Sequence, residues 1–391
     1  MRAVTDEERR ARLATRHAIS PTARVDDPVA ATRAMTVLHA TEPATVYLSL
    51  HARVEGLTVA DVDRSLYVER SLVKQLAMRR TLFVFPRDLL PAAWGSASAR
   101  VATALRARLA KEVELSGLAP DGAAWLDAAC AAVLARLADG GELDAQTLRE
   151  QVPELAGRMG AFNGATASVA PRVLTQLAVE TLLVRGRNGG HWRTSRPRWT
   201  LMAGWLGEEP APWSPGPGYA ELVRRWLGTF GPGTEADLVW WLGSTKAAVR
   251  QALVDVAAVR VALDGGGVGW VLPEDEEPVP AAAEPWAALL PVLDATTMGW
   301  RDRDFYLDPR HTPYLFDSFG NGGTTAWWNG RIVGCWVQDD AGVVHVVPSE
   351  SLPADARAAL AVEAARLTAW LDGVRIGTVY PSLQMKSAVL P

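Results

Sequence analysis

Three stretches of the chain repeat one order of elements, and that repetition limits the fold more than any single motif does. They are residues 57–86, 142–202 and 233–273. Each opens with a small polar residue before an acidic helix start: Thr58, Asp144 and Thr234. Such side chains accept a backbone N–H that the first helical turn leaves unpaired. A short helix, a turn and a second helix are predicted to follow. The second helices are read from apolar pairs four residues apart: Leu72 and Leu76, Val173 and Leu177, Val249 and Leu253. Each stretch then passes into β-branched or aromatic residues. In the second and third, Asn188-Gly189-Gly190 and Gly265-Gly266-Gly267 join two strands as a hairpin requires.

Helix, turn, helix and hairpin is the plan of a winged helix. The expected fold is mainly α with β-hairpin wings: three tandem winged-helix domains and a C-terminal β-rich α/β domain. The boundaries read as an N-terminal extension over 1–28, winged helices over 29–115, 116–210 and 211–275, and the last domain over 276–391. An acidic, proline-rich run, residues 273–286, reads as the linker between them. After it come a strand pair turning near Asp339 to Gly342, a helix in "LPADARAALAVEAARLTAWLDG", and a strand-like "VRIGTVYPSL".

A chain of 391 residues supports several domains, and its net charge of −4 does not by itself point to nucleic acid. The charge distribution is more informative. The second wing carries Arg185, Arg187, Arg193, Arg196 and Arg198 with no acid between them, and Trp192 and Trp199 for apolar contact. Such a ribbon can follow a phosphate backbone; it can equally be a solvated hairpin at a domain interface. Arg70, Lys74, Arg79 and Arg80 cluster around the predicted second helix of the first repeat. The third wing has no basic residue, and Trp240 and Trp241 read as core. Cys130 and Cys335 read as small core residues of a reducing compartment. With no zinc-type spacing, no signal-peptide pattern and no long apolar run, the expectation is a cytoplasmic protein without metal or membrane contact.

Two elements carry a resemblance: "LAMRRTLFVFPRDLL" in the first repeat and "DPRHTPYLFDSFGNGGTTAWWNGRIVGCWVQ" in the last domain. With the tandem repeats, they make the chain similar to the AlkZ-like family of winged-helix DNA glycosylases, from about Val37 onward. The resemblance implies a C-shaped, DNA-embracing molecule that needs no cofactor. Its partner would be double-stranded DNA carrying alkylated purines, and it would excise bulky N7-alkylated bases in repair or in self-resistance to an alkylating natural product. It implies a monomer, nucleoid-associated when bound.

One stretch departs from the family. Where the family has Gln-apolar-Gln or Gln-apolar-Asp before Asp/Glu-Pro, this chain has His39-Ala40-Thr41 before Glu42-Pro43. By register, His39 and Thr41 are the candidate catalytic pair and Glu42 a supporting carboxylate. Just before a helix the backbone can be extended, so residues 39 and 41 would share one side about 7 Å apart and could hold a water. A neutral imidazole can orient that water or take its proton near pH 7. The same residues also fit a plain helix start, with Thr41 as its cap. The candidate DNA contacts are Arg79, Arg80 and the five wing arginines. Trp327, Trp328 and Arg331 form a candidate lesion probe, with at least one tryptophan equally suited to the core. His51 reads as a partly exposed helical residue. Two functions stand: a monofunctional DNA glycosylase, or a non-enzymatic winged-helix DNA-binding or regulatory protein.

Overall fold

The polar residues that open the repeats do cap helices. Thr58 and Thr234 form reciprocal capping boxes with Asp61 and Asp237, and Asp144 accepts from the Thr147 N–H. The computed structural model describes residues 1–160, 166–280 and 284–389. Residues 161–165 of the second repeat and 281–283 of the expected linker lie outside that range.

The chain opens with β1 (Ala3–Val4) and α1 (Asp6–Arg16). A first unit follows: α2 (Pro28–Ala34), β2 (Leu38–His39), α3 (Pro43–Arg53), α4 (Val59–Asp63), β3 (Leu72–Leu76) and β4 (Leu82–Pro86). Its sheet has the order β2-β4-β3. Leu72 and Leu76 therefore sit on a strand, not on a second helix, and the capped helix after Thr58 is the one that precedes the hairpin. A spacing of four fits a helix face and a strand face alike.

Helices α5 (Leu90–Ala93) and α6 (Ala99–Leu115) lead to the second unit. It holds α7 (Gly122–Arg136), β5 (Leu143–Asp144), α8 (Ala145–Gln151), the short pair β6 (Arg158–Gly160) and β7 (Thr166–Ser168), and α9 (Ala170–Val179). A hairpin of β8 (Leu183–Asn188) and β9 (Pro197–Leu201) and the short α10 (Met202–Leu206) close it, with sheet order β5-β9-β8. Val173 and Leu177 lie buried on α9 as expected.

The third unit comprises α11 (Pro215–Phe230), α12 (Glu235–Leu242), α13 (Lys246–Asp255), β10 (Val259–Leu263) and β11 (Val268–Val271). Val249 and Leu253 are buried on α13. The short strand of the other two units is reduced here to Gly233, which exchanges hydrogen bonds with Trp270. A Cβ at Gly233 would lie 2.1 Å from the Trp226 ring, so only glycine lets this backbone reach β11. The N-terminal segment is part of this unit, because β1 pairs in parallel with β10.

The last domain is a four-stranded antiparallel sheet, β12 (Ala287–Leu290), β13 (Thr325–Trp328), β14 (Arg331–Gln338) and β15 (Val344–Pro348), in that order. It also holds α14 (Thr312–Leu315), α15 (Ala354–Leu371) and α16 (Leu383–Lys386). The stretch 374–380 is not a strand; it runs unpaired along the domain.

The cores cut across the repeats. Leu50, Phe83, Trp226, Trp241, Trp300 and Trp327 belong to one core joining the first unit, the third unit and the last domain. The second unit has its own, around Leu126, Val133, Leu177 and Trp199. Cys130 and Cys335 are buried and free. Among the described residues, no helix is long and apolar enough to cross a membrane.

Candidate active site

His39 ends a strand whose register is fixed by its neighbours. Leu38 pairs with Val84 and His39 with Phe83, and the Ala40 N–H donates to the Leu82 carbonyl at 2.9 Å. The chain bends at Thr41 and Glu42, and Pro43 opens α3, where its missing N–H costs nothing. Every residue of α3 from Ala44 to Arg53 is buried. Thr45 Oγ1 donates to the Val292 carbonyl at 3.0 Å, and Ser49 Oγ donates to Asp294 at 2.6 Å. The helix behind the candidate motif is thus fastened to the last domain.

The bend changes the expected pairing. Thr41 is exposed, whereas His39 is buried with its ring 4.7 Å from that of Phe83. Strand alternation stops at the bend, so the two side chains do not share a dry face. Nor does Thr41 cap the helix: the residue before Pro43 is Glu42, and its side chain makes no capping bond. Burial, reinforced by the charge of Arg79 and opposed by that of Asp294, lowers the His39 pKa to about 3. The imidazole is therefore neutral well below pH 6.5. Its Nδ1 is buried with no hydrogen-bond partner among the described residues.

Glu42 is the better-defined chemical group. Its Oε1 accepts from Thr378 Oγ1 at 2.8 Å and from the Val379 N–H at 2.6 Å. Its Oε2 is buried and, among the described residues, has no hydrogen-bond partner. Burial pushes the pKa up, although both hydrogen bonds pull the other way. The residue stands in the wall of a cavity of about 220 Å³ with Leu48, Thr324, Trp336, Gln338 and Lys386. The polar partners lie more than 330 positions away along the chain, so the sequence pointed to Glu42 but not to its cavity.

The cationic residues divide into two sets. Arg79 and Arg80 occupy the β3–β4 turn with φ of 54° and 60°, a left-handed conformation that is strained for both. Arg80 is exposed; Arg79 lies 4.0 Å over the Trp240 ring, its pKa pushed down to about 10 by burial and by Arg303. Arg70 donates to the Trp205 carbonyl and Lys74 to the Tyr67 hydroxyl, which turns both inward. In the second wing, Arg187, Arg193, Arg196 and Arg198 are exposed. Arg185 is half-buried 5.2 Å over Trp199, and the ladder register shifts between Arg185 and Asn188, so Arg185 and Arg187 do not form one row. Trp199 is core, and Trp192 packs on Tyr47 and Trp370 with ring centroids 5.1 and 5.6 Å away. The wing thus uses its tryptophans as fasteners, and Arg193 donates to the Arg375 carbonyl.

Of the expected probe, Trp327 is fully buried, its indole N–H donating to Thr325 Oγ1 at 2.8 Å. It is a core residue and cannot probe a groove. Trp328 is half-buried, and Arg331 beside it is exposed. His51 also differs from expectation. It is buried against Trp370, and burial together with Arg366 and Arg24 lowers its pKa to about 2.

Comparison with known proteins agrees with the resemblance read from the sequence. No curated protein sequence matches the chain. Among solved structures, the Streptomyces sahachiroi DNA glycosylase AlkZ superposes with a TM-score of 0.74 at 22% identity. The match covers 94% of this chain and 98% of that one, which establishes the shared fold. The family model described as DNA glycosylase AlkZ-like matches residues 32–370. The motif stretch at residues 39–43 and the final sheet fall within that span, and the chain belongs to the AlkZ-like DNA glycosylase family.

Proposed function

We propose that this DNA glycosylase is monofunctional and hydrolyses the N-glycosidic bond of bulky N7-alkylated purines in duplex DNA. The observation that carries the reading is the free Glu42 Oε2 in the wall of a cavity beside the family's motif position. Glycosylases take the target base out of the stack into a pocket. An N7-alkylated purine is already cationic and leaves without protonation. What remains is to stabilise positive charge on the sugar and to place a water. A carboxylate supports the first task, and an unpaired neutral imidazole supports the second.

In this reading Glu42 provides negative charge, His39 orients water through a free ring nitrogen, and Thr41 meets the DNA from outside. The three helix–helix–hairpin units, over 29–115, 116–210 and 211–275, act as winged helices. The exposed arginines of the second wing then contact phosphates, as does Arg80. The test is incubation of purified protein with duplex containing an N7-alkylguanine. Free alkylated base and alkali-labile abasic sites support the reading; intact duplex at saturating protein rejects it.

One observation favours the alternative of a non-enzymatic DNA-binding protein. His39 is buried and Thr41 exposed, so the pair does not converge on one water as the motif register implied. That reading requires tight duplex binding with no base release in the same assay.

A further inference from the structure

The loop Asp317–Gly322 of the last domain holds an aromatic ring out in water. Asp317 builds the loop: its Oδ1 accepts from the Phe319 and Asn321 N–H groups, both at 2.9 Å, and its Oδ2 from Asn321 Nδ2 at 2.8 Å. Its own N–H donates to the Asn321 carbonyl at 3.0 Å, and Phe316 bridges Gly322 across the base. Gly320 takes φ +80°, the left-handed conformation that glycine adopts without strain. At the tip, Phe319 is 91% exposed. A large aromatic on a floppy loop would be unremarkable. A large aromatic presented by four mutually supporting hydrogen bonds is already ordered for insertion.

The base of the same loop is cationic. Arg303 lies 4.3 Å over the Phe316 ring and donates to the Gly320 carbonyl at 3.3 Å. Arg79 and Arg303 both face Trp240, at 4.0 and 5.7 Å from its centroid. Among the described residues, the buried Nε of each has no partner and neither side chain forms a salt bridge with a carboxylate. Two unpaired guanidiniums in one cluster repel each other, and a phosphate between them would relieve that repulsion. From the loop the chain runs directly to Thr324, in the wall of the Glu42 cavity. Phe319 thus lies a few residues along the chain from the cavity wall.

We propose that Phe319 is a wedge that enters the base stack where the target nucleotide leaves, while Arg303 and Arg79 grip the phosphate beside that nucleotide. The proposal rests on the glycosylase reading for its purpose, but its test does not require base release. Apolar wedges between base steps and arginine–phosphate contacts are both established means of holding distorted duplex. Phe319 is a positioning residue here; it touches no reacting atom.

The experiment uses the full chain and a duplex with a stable abasic analogue, tetrahydrofuran, next to 2-aminopurine. Wild type should raise the 2-aminopurine fluorescence on binding. Phe319→Ala should abolish that rise and weaken binding to this duplex roughly 10- to 100-fold, with little effect on undamaged duplex; Phe319→Leu should restore most of it. Arg303→Ala should lower the slope of log K against log salt by about 0.9, the loss of one phosphate contact. An unchanged fluorescence rise in Phe319→Ala, or an unchanged salt slope in Arg303→Ala with its melting temperature preserved, overturns the respective half of the proposal. If wild type binds and distorts this duplex but releases no alkylated base from its substrate, the wedge stands and the glycosylase reading fails.

Discussion

Arg53 and Asp294 join α3 to the last domain by two hydrogen bonds of 2.9 and 2.7 Å, with neither side chain exposed. Burial alone would raise the Asp294 pKa. The Arg53 charge, Ser49 and the Thr296 N–H outweigh it and hold the carboxyl below its usual range. The pair fixes the helix that begins immediately after Glu42. Removing one partner leaves the other charge buried and uncompensated, so Asp294→Ala should cost about 3–5 kcal/mol in chemical denaturation. A loss near zero would mean that the helix is held by packing alone.

Acid should destabilise the fold through three histidines. Burial leads the causes that depress His17 and His39 to about 3 and His51 to about 2. The unfolded chain takes up these protons near pH 6.5, while the folded chain does not until about pH 3. Their contribution is therefore fully present above pH 6.5 and falls as pH drops below it, by about 1.4 kcal/mol per pH unit for each histidine. Urea midpoints at pH 7.5, 6 and 5 measure this. A midpoint that does not move between pH 6 and 5 contradicts the buried neutral assignment.

The same assignment governs the rate profile. Because His39 is neutral from pH 5 to 9, excision should show no step near 6.5. The acid limb should come from Glu42, with a midpoint above the ordinary 4.5, and Glu42→Gln should abolish it. Single-turnover excision across pH 4.5–9 decides between the two groups.

Within the motif, His39→Ala should slow excision by ~10²-fold or more, and His39→Gln, which restores the family's residue, should recover most of it. Thr41→Ala should change stability by less than about 0.5 kcal/mol, because Thr41 is exposed and caps nothing. Melting curves and single-turnover rates of the three variants check both statements.

In the second wing, replacing Arg187, Arg193, Arg196 and Arg198 by Ala should reduce the salt dependence of duplex binding by up to ~0.9 per lost phosphate contact. Arg185→Ala should instead lower stability, since Arg185 lies half-buried on Trp199. An unchanged salt slope in the quadruple variant would place the DNA elsewhere.

The caps at Thr58, Asp144 and Thr234 were legible in the sequence because a cap is a local event of four residues. So was the glycine turn of the third hairpin; the second reverses at His191–Thr194 instead of at Asn188-Gly189-Gly190. The strand at Leu72–Leu76 was not, because two leucines four apart satisfy both periodicities. Tertiary partners decided the rest. The sequence offered Trp192 for apolar contact with DNA and left Trp327 between probe and core; Trp370 and Tyr306 draw both inward. Glu42 could be picked out beside Pro43, yet its meaning depends on Thr378 and Val379, which only the fold brings to it. Phe319 gave no local signal; it became notable only once Asp317 was seen to hold its loop.

In the proposed reaction the Glu42 carboxylate serves base excision in duplex DNA. Its most direct test is single-turnover release of N7-alkylguanine at pH 7.5 by wild type and Glu42→Gln, with duplex affinity measured alongside. Wild type should yield one free base and one alkali-labile site per lesion, and Glu42→Gln a rate at least ~10²-fold lower at unchanged affinity. Release by Glu42→Gln at the wild-type rate, or no release by wild type on duplex it binds, would contradict it.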